Sequence, residues 1–206
     1  MPDAFSADFR RLEAGELPEE TRALARALLG RYVVRKVGSE IVAGRIVETE
    51  AYLLGDPACH GFIGPTPRNA TLFGPPHRSY VYQIYGTSFC FNVSGEAEGE
   101  GAGVLVRALE PVIGHDMMLQ LRPGASAADV CRGPGRLCAA LAIDRSLDGV
   151  NLLTDAALWL SAGQPLRPSR VRVSPRIGIT RAASRPLRYY EAGNPYVSGP
   201  RKSIRP

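Results

Sequence analysis

The chain has 206 residues, 45% of them hydrophobic and 22% charged, which fits one globular domain spanning 1–206 and leaves little room for a second core. Its net charge of +5 is carried by arginine, with Lys36 and Lys202 the only lysines, a balance that suits an anionic partner. No run is long and apolar enough for a membrane span and the first residues lack the apolar centre of a signal peptide, so the expected address is the cytoplasm, with no membrane partner.

Cys59, Cys90, Cys131 and Cys138 form no CxxC pair, and His60, His77 and His115 do not fall at zinc-ligand spacing. Reduced thiols are expected, with no metal and no cofactor.

Leu17 to Gly30 reads as an amphipathic helix with Pro18 in its first turn and Gly30 as its stop. Two strands follow, joined by a turn near Gly38-Ser39, with a further bend at Ala43-Gly44. The second strand ends in GRIVETEAY, Gly44 to Tyr52. Strict alternation puts Arg45, Val47, Thr49 and Ala51 on one face and Ile46, Glu48, Glu50 and Tyr52 on the other. One face is fit for burial; the other sets carboxylates beside an aromatic ring.

From Leu53 to Arg78 the Gly and Pro content rules out a long helix. A loop of this length is more often functional than idle, and it carries His60 and the TPRN run from Thr66 to Asn69. SYVYQIYG and SFCFNVS, Ser79 to Gly86 and Ser88 to Ser94, read as a hairpin with Tyr85 at its tip. Tyr80 and Phe89 are assigned to the core. Glu96 to Gly103 reads as a flexible glycine-rich connection.

Val104 to Val112 is a strand in which Arg107 stands among apolar residues, so it needs a partner, either within the fold or at a pocket rim. Helices are expected over His115–Pro123 and Pro134–Ile143, the second opened by CRGPG with Arg132 and Arg136 near exposed amides. Those arginines suit a phosphate, or are simply solvated. Strands are expected around Trp159 and over Val171–Thr180, and Ser198 to Pro206 reads as a flexible basic tail. Strands that cluster as hairpins predict an α+β fold: a curved, mostly antiparallel β-sheet surrounded by helices, with a protruding β-hairpin.

VETEAY, then His60, TPRN, YVYxIYG and CxN, followed by VLVRALEP, CRGPGRLCAALAIDRSLDG, PRIGI and RPLRYY, resemble in the same order the motifs of the alkyladenine (3-methyladenine) DNA glycosylase family, in its bacterial form. The resemblance covers the chain from its first helix onward and implies the same α+β architecture. It implies a monomer acting on double-stranded DNA that carries a damaged purine. Glu50 then matches the general base that activates water, with Arg107 beside it. Position alone separates Glu50 from Glu48 only by its place next to Tyr52. Tyr52, His60 and Tyr82 would enclose the flipped base, Asn92 would bar normal guanine, and Tyr85 would fill the gap left in the duplex. Arg68, Arg132 and Arg136 are assigned to the DNA backbone.

Water is the nucleophile such a family uses, and scarce lysine agrees, although Pro2 would be a secondary amine if Met1 were removed. This chain departs from the mammalian-type pattern in setting His60 one residue nearer Glu50, and in carrying His77-Arg78 and Gln83; these bear on the range of lesions. Two other readings are weighed. A glycoside hydrolase would use Glu48 and Glu50, about 7 Å apart on a strand; a lesion-binding protein would flip bases without cutting.

Overall fold

The computed structural model describes residues 9–84 and 86–199. Tyr85, Pro2 and residues 200–206 of the expected tail lie outside the described residues. Among those described, the chain forms an eight-stranded sheet with every pairing antiparallel, curled into a half-barrel, and three α-helices. This is the expected α+β architecture.

Helix α1 covers Thr21–Ala27, shorter than the amphipathic pattern predicts. The reason is local: the Glu20 carboxylate caps it, accepting from the amides of Arg22 and Ala23 at 3.0 and 2.6 Å, so Pro18 lies before the helix. The buried side of α1, Thr21, Leu24 and Ala25, docks on the sheet, where the Thr49 hydroxyl donates to the Ala25 carbonyl at 2.8 Å.

Strand β1, Tyr32–Val37, turns into the long β2, Glu40–Tyr52. Beyond the hairpin of β3, Ser79–Ile84, and β4, Ser88–Ser94, comes β5, Gly103–Ile113. Helices α2, His115–Leu121, and α3, Pro134–Ala140, are next in the chain. The four-residue strands β6, Leu158–Ser161, β7, Val171–Ser174, and β8, Arg188–Glu191, complete the set. The sheet runs β3-β4-β5-β2-β1-β6, and β8 pairs with both β2 and β7. One main core joins residues from Leu12 to Tyr189 between the sheet and the helices.

Strict alternation along β2 fails at one place, and that place matters. The bend expected at Ala43-Gly44 is a register shift against β5, and further shifts flank Glu48, so that Val47 on β2 and Arg107 on β5 have no Cα partner in this ladder. Opposed bulges of this kind re-aim side chains. Before the bulge Val42 and Ile46 face the main core; after it Ala51 does, while Val47 packs with Ala108, Tyr190 and Val197 on the other side. Ile46 therefore does not share the face of Glu50, as simple parity predicts.

β4 pairs with β5 only over Asn92–Ser94, so the outer part of the β3–β4 hairpin leaves the sheet and protrudes. Two other expectations are corrected. Glu96 to Gly103 is not a loose connection: the Glu96 carboxylate accepts from the Thr21 amide at 2.9 Å and Ala102 is fully buried. The strand expected over Val171–Thr180 stops at Ser174, because Pro175 lacks an amide donor and Gly178 takes a positive φ of 78°. From Pro175 onward the chain is a loop that returns to β2, where the Ile177 amide meets Glu50.

Candidate active site

The bulge and the returning loop converge on two glutamates. Both carboxylates are fully buried and both meet Arg107, whose Nε donates to Glu48 Oε1 at 3.0 Å and whose Nη1 lies 3.3 Å from Glu50 Oε1. Their remaining partners separate them. Glu48 is the more heavily bonded: Oε1 also accepts from Arg188 Nε at 2.6 Å and the Ser198 hydroxyl at 3.0 Å, and Oε2 accepts from the Ser198 amide at 2.6 Å. It is an anchor for two arginines and the C-terminal segment, held by four donors. This removes the support for a two-carboxylate sugar hydrolase.

Glu50 is held more lightly. Among the described residues, Oε1 accepts from the Ile177 amide at 2.8 Å, and Oε2 accepts only from the Tyr52 hydroxyl, at 3.0 Å. Burial raises the Glu50 carboxyl above its ordinary value, and Arg107, the Ile177 amide and Tyr52 hold that rise back. Arg107 pays a desolvation penalty of its own, yet the two carboxylates raise its pKa. Burial and the neighbouring Glu50 charge push the Tyr52 hydroxyl up, so it stays a donor.

Tyr52 also faces a pocket of ≈ 230 Å³ whose wall includes His60, Tyr80, Tyr82 and Asn92, closed on one side by Gly178 and Ile179. Glu50 and Arg107 do not line it; they reach it through Tyr52. The His60 ring sits 4.5 Å from that of Tyr82, and its Nδ1 is 2.9 Å from the Tyr80 hydroxyl. Burial, then the Arg68 charge, lowers the His60 pKa, which favours a neutral imidazole. The Asn92 side chain donates to the Tyr80 carbonyl at 3.0 Å, across the β3–β4 register. Tyr80 is buried as expected, but its hydroxyl belongs to the pocket, which corrects its assignment to the core alone. Burial raises that hydroxyl to about 12.

The loop carrying His60 is held by close backbone contact. A Cβ on Gly61 would lie 2.1 Å from the Gly101 carbonyl oxygen, so only glycine fits there. Asn69 of the TPRN run ties the same loop together, its amide donating to the His60 and Gly64 carbonyls at 2.8 and 3.0 Å.

Of the residues assigned from sequence, Arg107 and Tyr52 both meet Glu50, and His60, Tyr82 and Asn92 share the adjoining pocket with Tyr52. Arg68 is exposed beside the pocket, bonded to the Gln83 carbonyl at 3.3 Å. Gln83 itself donates to the Gly86 carbonyl across the hairpin turn. Arg132 is held elsewhere, its guanidinium donating to the Val197 and Gly199 carbonyls at 2.8 and 2.9 Å. Arg136 stays half exposed, 3.4 Å from Asp129.

Sequence reasoning missed Asp56, Arg176, Ile177 and Ser198. Pro175 and Gly178 were the signal that PRIGI is a loop, not a strand. Ser198 had no signal, since it was read as the start of a tail.

A family model described as Methylpurine-DNA glycosylase (MPG) matches residues 16–195. The chain is 53% identical over 186 residues to a protein of Mesorhizobium japonicum, covering 90% of this chain and 89% of that one. It is 44% identical over 206 residues to one of Koribacter versatilis, covering 98% and 99%, and 44% identical over 175 residues to one of Carboxydothermus hydrogenoformans, covering 85% and 92%. Each of the three bears the name "Putative 3-methyladenine DNA glycosylase". The class to which the fold and these matches lead is a hydrolase, a DNA glycosylase. The chain belongs to the methylpurine-DNA glycosylase family.

Proposed function

We propose that the chain is a monofunctional glycosylase that flips 3-methyladenine, 7-methylguanine, hypoxanthine or ethenoadenine out of duplex DNA and hydrolyses the N-glycosidic bond with water activated by Glu50. The observation that carries this reading is the division of labour on one buried carboxylate. Among the described residues, Oε1 is held by Arg107 and the Ile177 amide, and Oε2 carries only a tyrosine hydroxyl. Oε2 is therefore the oxygen left to take a proton from water.

Flipping costs a few kcal/mol, least for a damaged base. The aromatic walls of Tyr52, His60 and Tyr82 offset that cost by stacking, about 1–3 kcal/mol per base on the scale measured for such contacts. Tyr85 fills the vacated space in the duplex. Asn92, fixed by the Tyr80 carbonyl, crowds the 2-amino group of normal guanine. As the base leaves, positive charge develops at the anomeric carbon; the Glu50 carboxylate offsets it and accepts the proton of the attacking water. A purine alkylated at N3 or N7 is already cationic and leaves without an acid. Neutral hypoxanthine and ethenoadenine need a proton on the base.

No amine takes part in this scheme. Lys36 is exposed on β1, away from the pocket wall. Arg68 and Arg136 meet the phosphates; Arg132 supports them indirectly by holding the C-terminal segment. The test is single-turnover base release from duplexes carrying one such lesion, with wild type beside Glu50→Gln. Release by wild type and its loss in the variant is the expected result. Equal release by both defeats the assignment of Glu50, and damaged-DNA binding with no release by either leaves a lesion-binding protein.

A further inference from the structure

The geometry points to Asp56 and Arg176 as a positioning pair that sets the Glu50 carboxylate for the reaction by holding both of its other ligands, the Tyr52 hydroxyl and the Ile177 amide. This rests on the reading of Glu50 as the base. The pair comes from two loops far apart in sequence, and its side chains are completely buried, with Arg176 Nη1 2.5 Å from Asp56 Oδ2. Asp56 is preorganised in its own turn, where Oδ1 accepts from the Ala58 amide at 3.0 Å. The same Nη1 donates to the Ala51 carbonyl at 2.9 Å, on the strand segment between Glu50 and Tyr52. The guanidinium carbon lies 4.6 Å from the centre of the Tyr52 ring.

Two branches therefore run from one guanidinium to one carboxylate. Through the ring it carries, it fixes the tyrosine that donates to Glu50 Oε2; through the next peptide along the chain, it fixes the amide that donates to Oε1. Past that amide, Gly178 and Ile179 become pocket wall, so base capture and the carboxylate share one anchor.

The arrangement is costly. Among the described residues Arg176 Nε and Nη2 are buried with no hydrogen-bond partner, and a buried ion pair is often no more stabilising than apolar residues of similar volume. A fold needing only stability has no use for it here, whereas a site needing one fixed orientation does. Arg176 and Asp56 touch no reacting atom in this scheme and act through Tyr52 and Ile177.

The experiment is single-turnover release from the duplex lesion that wild type processes fastest, across pH and enzyme concentration, for Arg176→Lys, Asp56→Asn and the double variant Asp56→Asn/Arg176→Gln. The last exchanges the ion pair for a neutral one and guards against unfolding; thermal melting is recorded for all. The charged and titratable groups around Glu50 are Glu48 and Tyr52 on β2, Cys90 on β4, Arg107 on β5 and, as the register partner of Glu50, Arg188 on β8. None of these is altered; the changes fall on Arg176 and Asp56, one contact further out.

Looser donors leave Glu50 less stabilised as an anion, so the acid limb of the rate profile moves to higher pH. The saturated rate falls on the order of 10²-fold, as a misplacement of about 1 Å produces, and the half-saturating enzyme concentration rises by a smaller factor, since Tyr52, Gly178 and Ile179 also line the pocket. Wild-type rate and acid limb in folded Arg176→Lys overturn the proposal. So does a rate that falls only with the folded fraction while the limb stays in place. If Glu50→Gln releases base as wild type does, the assignment of the base fails and the pair with it; if Glu50→Gln is inactive and the pair variants are normal, the pair alone fails.

Discussion

Glu50 and Glu48 are two residues apart on one strand and chemically identical, and their surroundings make them different groups. Four donors hold Glu48; Glu50 keeps one oxygen for a single hydroxyl. Since burial raises the Glu50 carboxyl and the proposed mechanism uses its anion, the rate of base release is expected to fall with decreasing pH along a limb centred above 4.5, the ordinary glutamate value. A single-turnover pH series measures this, and a limb at or below 4.5 contradicts it. Removing the Tyr52 hydroxyl alone, Tyr52→Phe, keeps the stacking ring but deletes a hydrogen bond to a charged group, about 1.5–3 kcal/mol, which is roughly 10- to 100-fold in rate. The same variant shifts the limb upward, because a donor that favoured the anion is gone. Glu48→Gln leaves Arg107 and Arg188 without their shared carboxylate; breaking a buried pair in this way costs about 3–5 kcal/mol, read as a fall in the denaturant midpoint. The choice between the two glutamates was barely legible in sequence, where both share a parity and only the neighbouring tyrosine favoured Glu50.

At the scale of elements, the site is made by irregularity. The bulges that leave Val47 and Arg107 unpaired bring a β5 arginine onto β2 carboxylates, and the end of β7 at Ser174 releases the loop that supplies Arg176 and Ile177. The His60 loop depends on the Gly61–Gly101 approach. Gly61→Ala forces a Cβ to within 2.1 Å of a backbone oxygen, so the backbone has to shift; overpacking of this sort costs typically about 1–3 kcal/mol. The expected outcome is a lower melting temperature together with weaker capture of the lesion, seen as a higher half-saturating enzyme concentration in the release assay. A variant that melts and binds as wild type shows that the loop has slack the contact denies. Hairpins, the turn at Gly38-Ser39 and the bend at Ala43-Gly44 were legible because turn residues and period-two patterns are local. The bulges were not, because a bulge is a relation between two strands.

For the whole molecule, the arginine excess divides into cations used inside the fold and cations left for a polyanion. Arg107, Arg176 and Arg188 are buried, and Arg132 is bonded to the carbonyls of Val197 and Gly199. Arg136 remains half exposed. Arg136→Ala is therefore expected to reduce the slope of log affinity for duplex DNA against log salt by roughly one unit, while Arg132→Ala leaves that slope alone and lowers thermal stability. Fluorescence anisotropy over a salt series, beside a melting curve, checks both; the reverse pattern assigns the phosphate contact to Arg132. By itself the sequence determined the fold class and the hairpin, since these come from composition and periodicity within one stretch of chain; the grouping of the pocket aromatics, and of Arg107 with the acidic strand, came from ordered motifs that resemble a known family. Only the tertiary structure decided which glutamate carries more donors, which arginines are internal, and that the loop after β7 reaches Glu50, because each of these is settled by donors arriving from residues roughly 50 to 150 positions away.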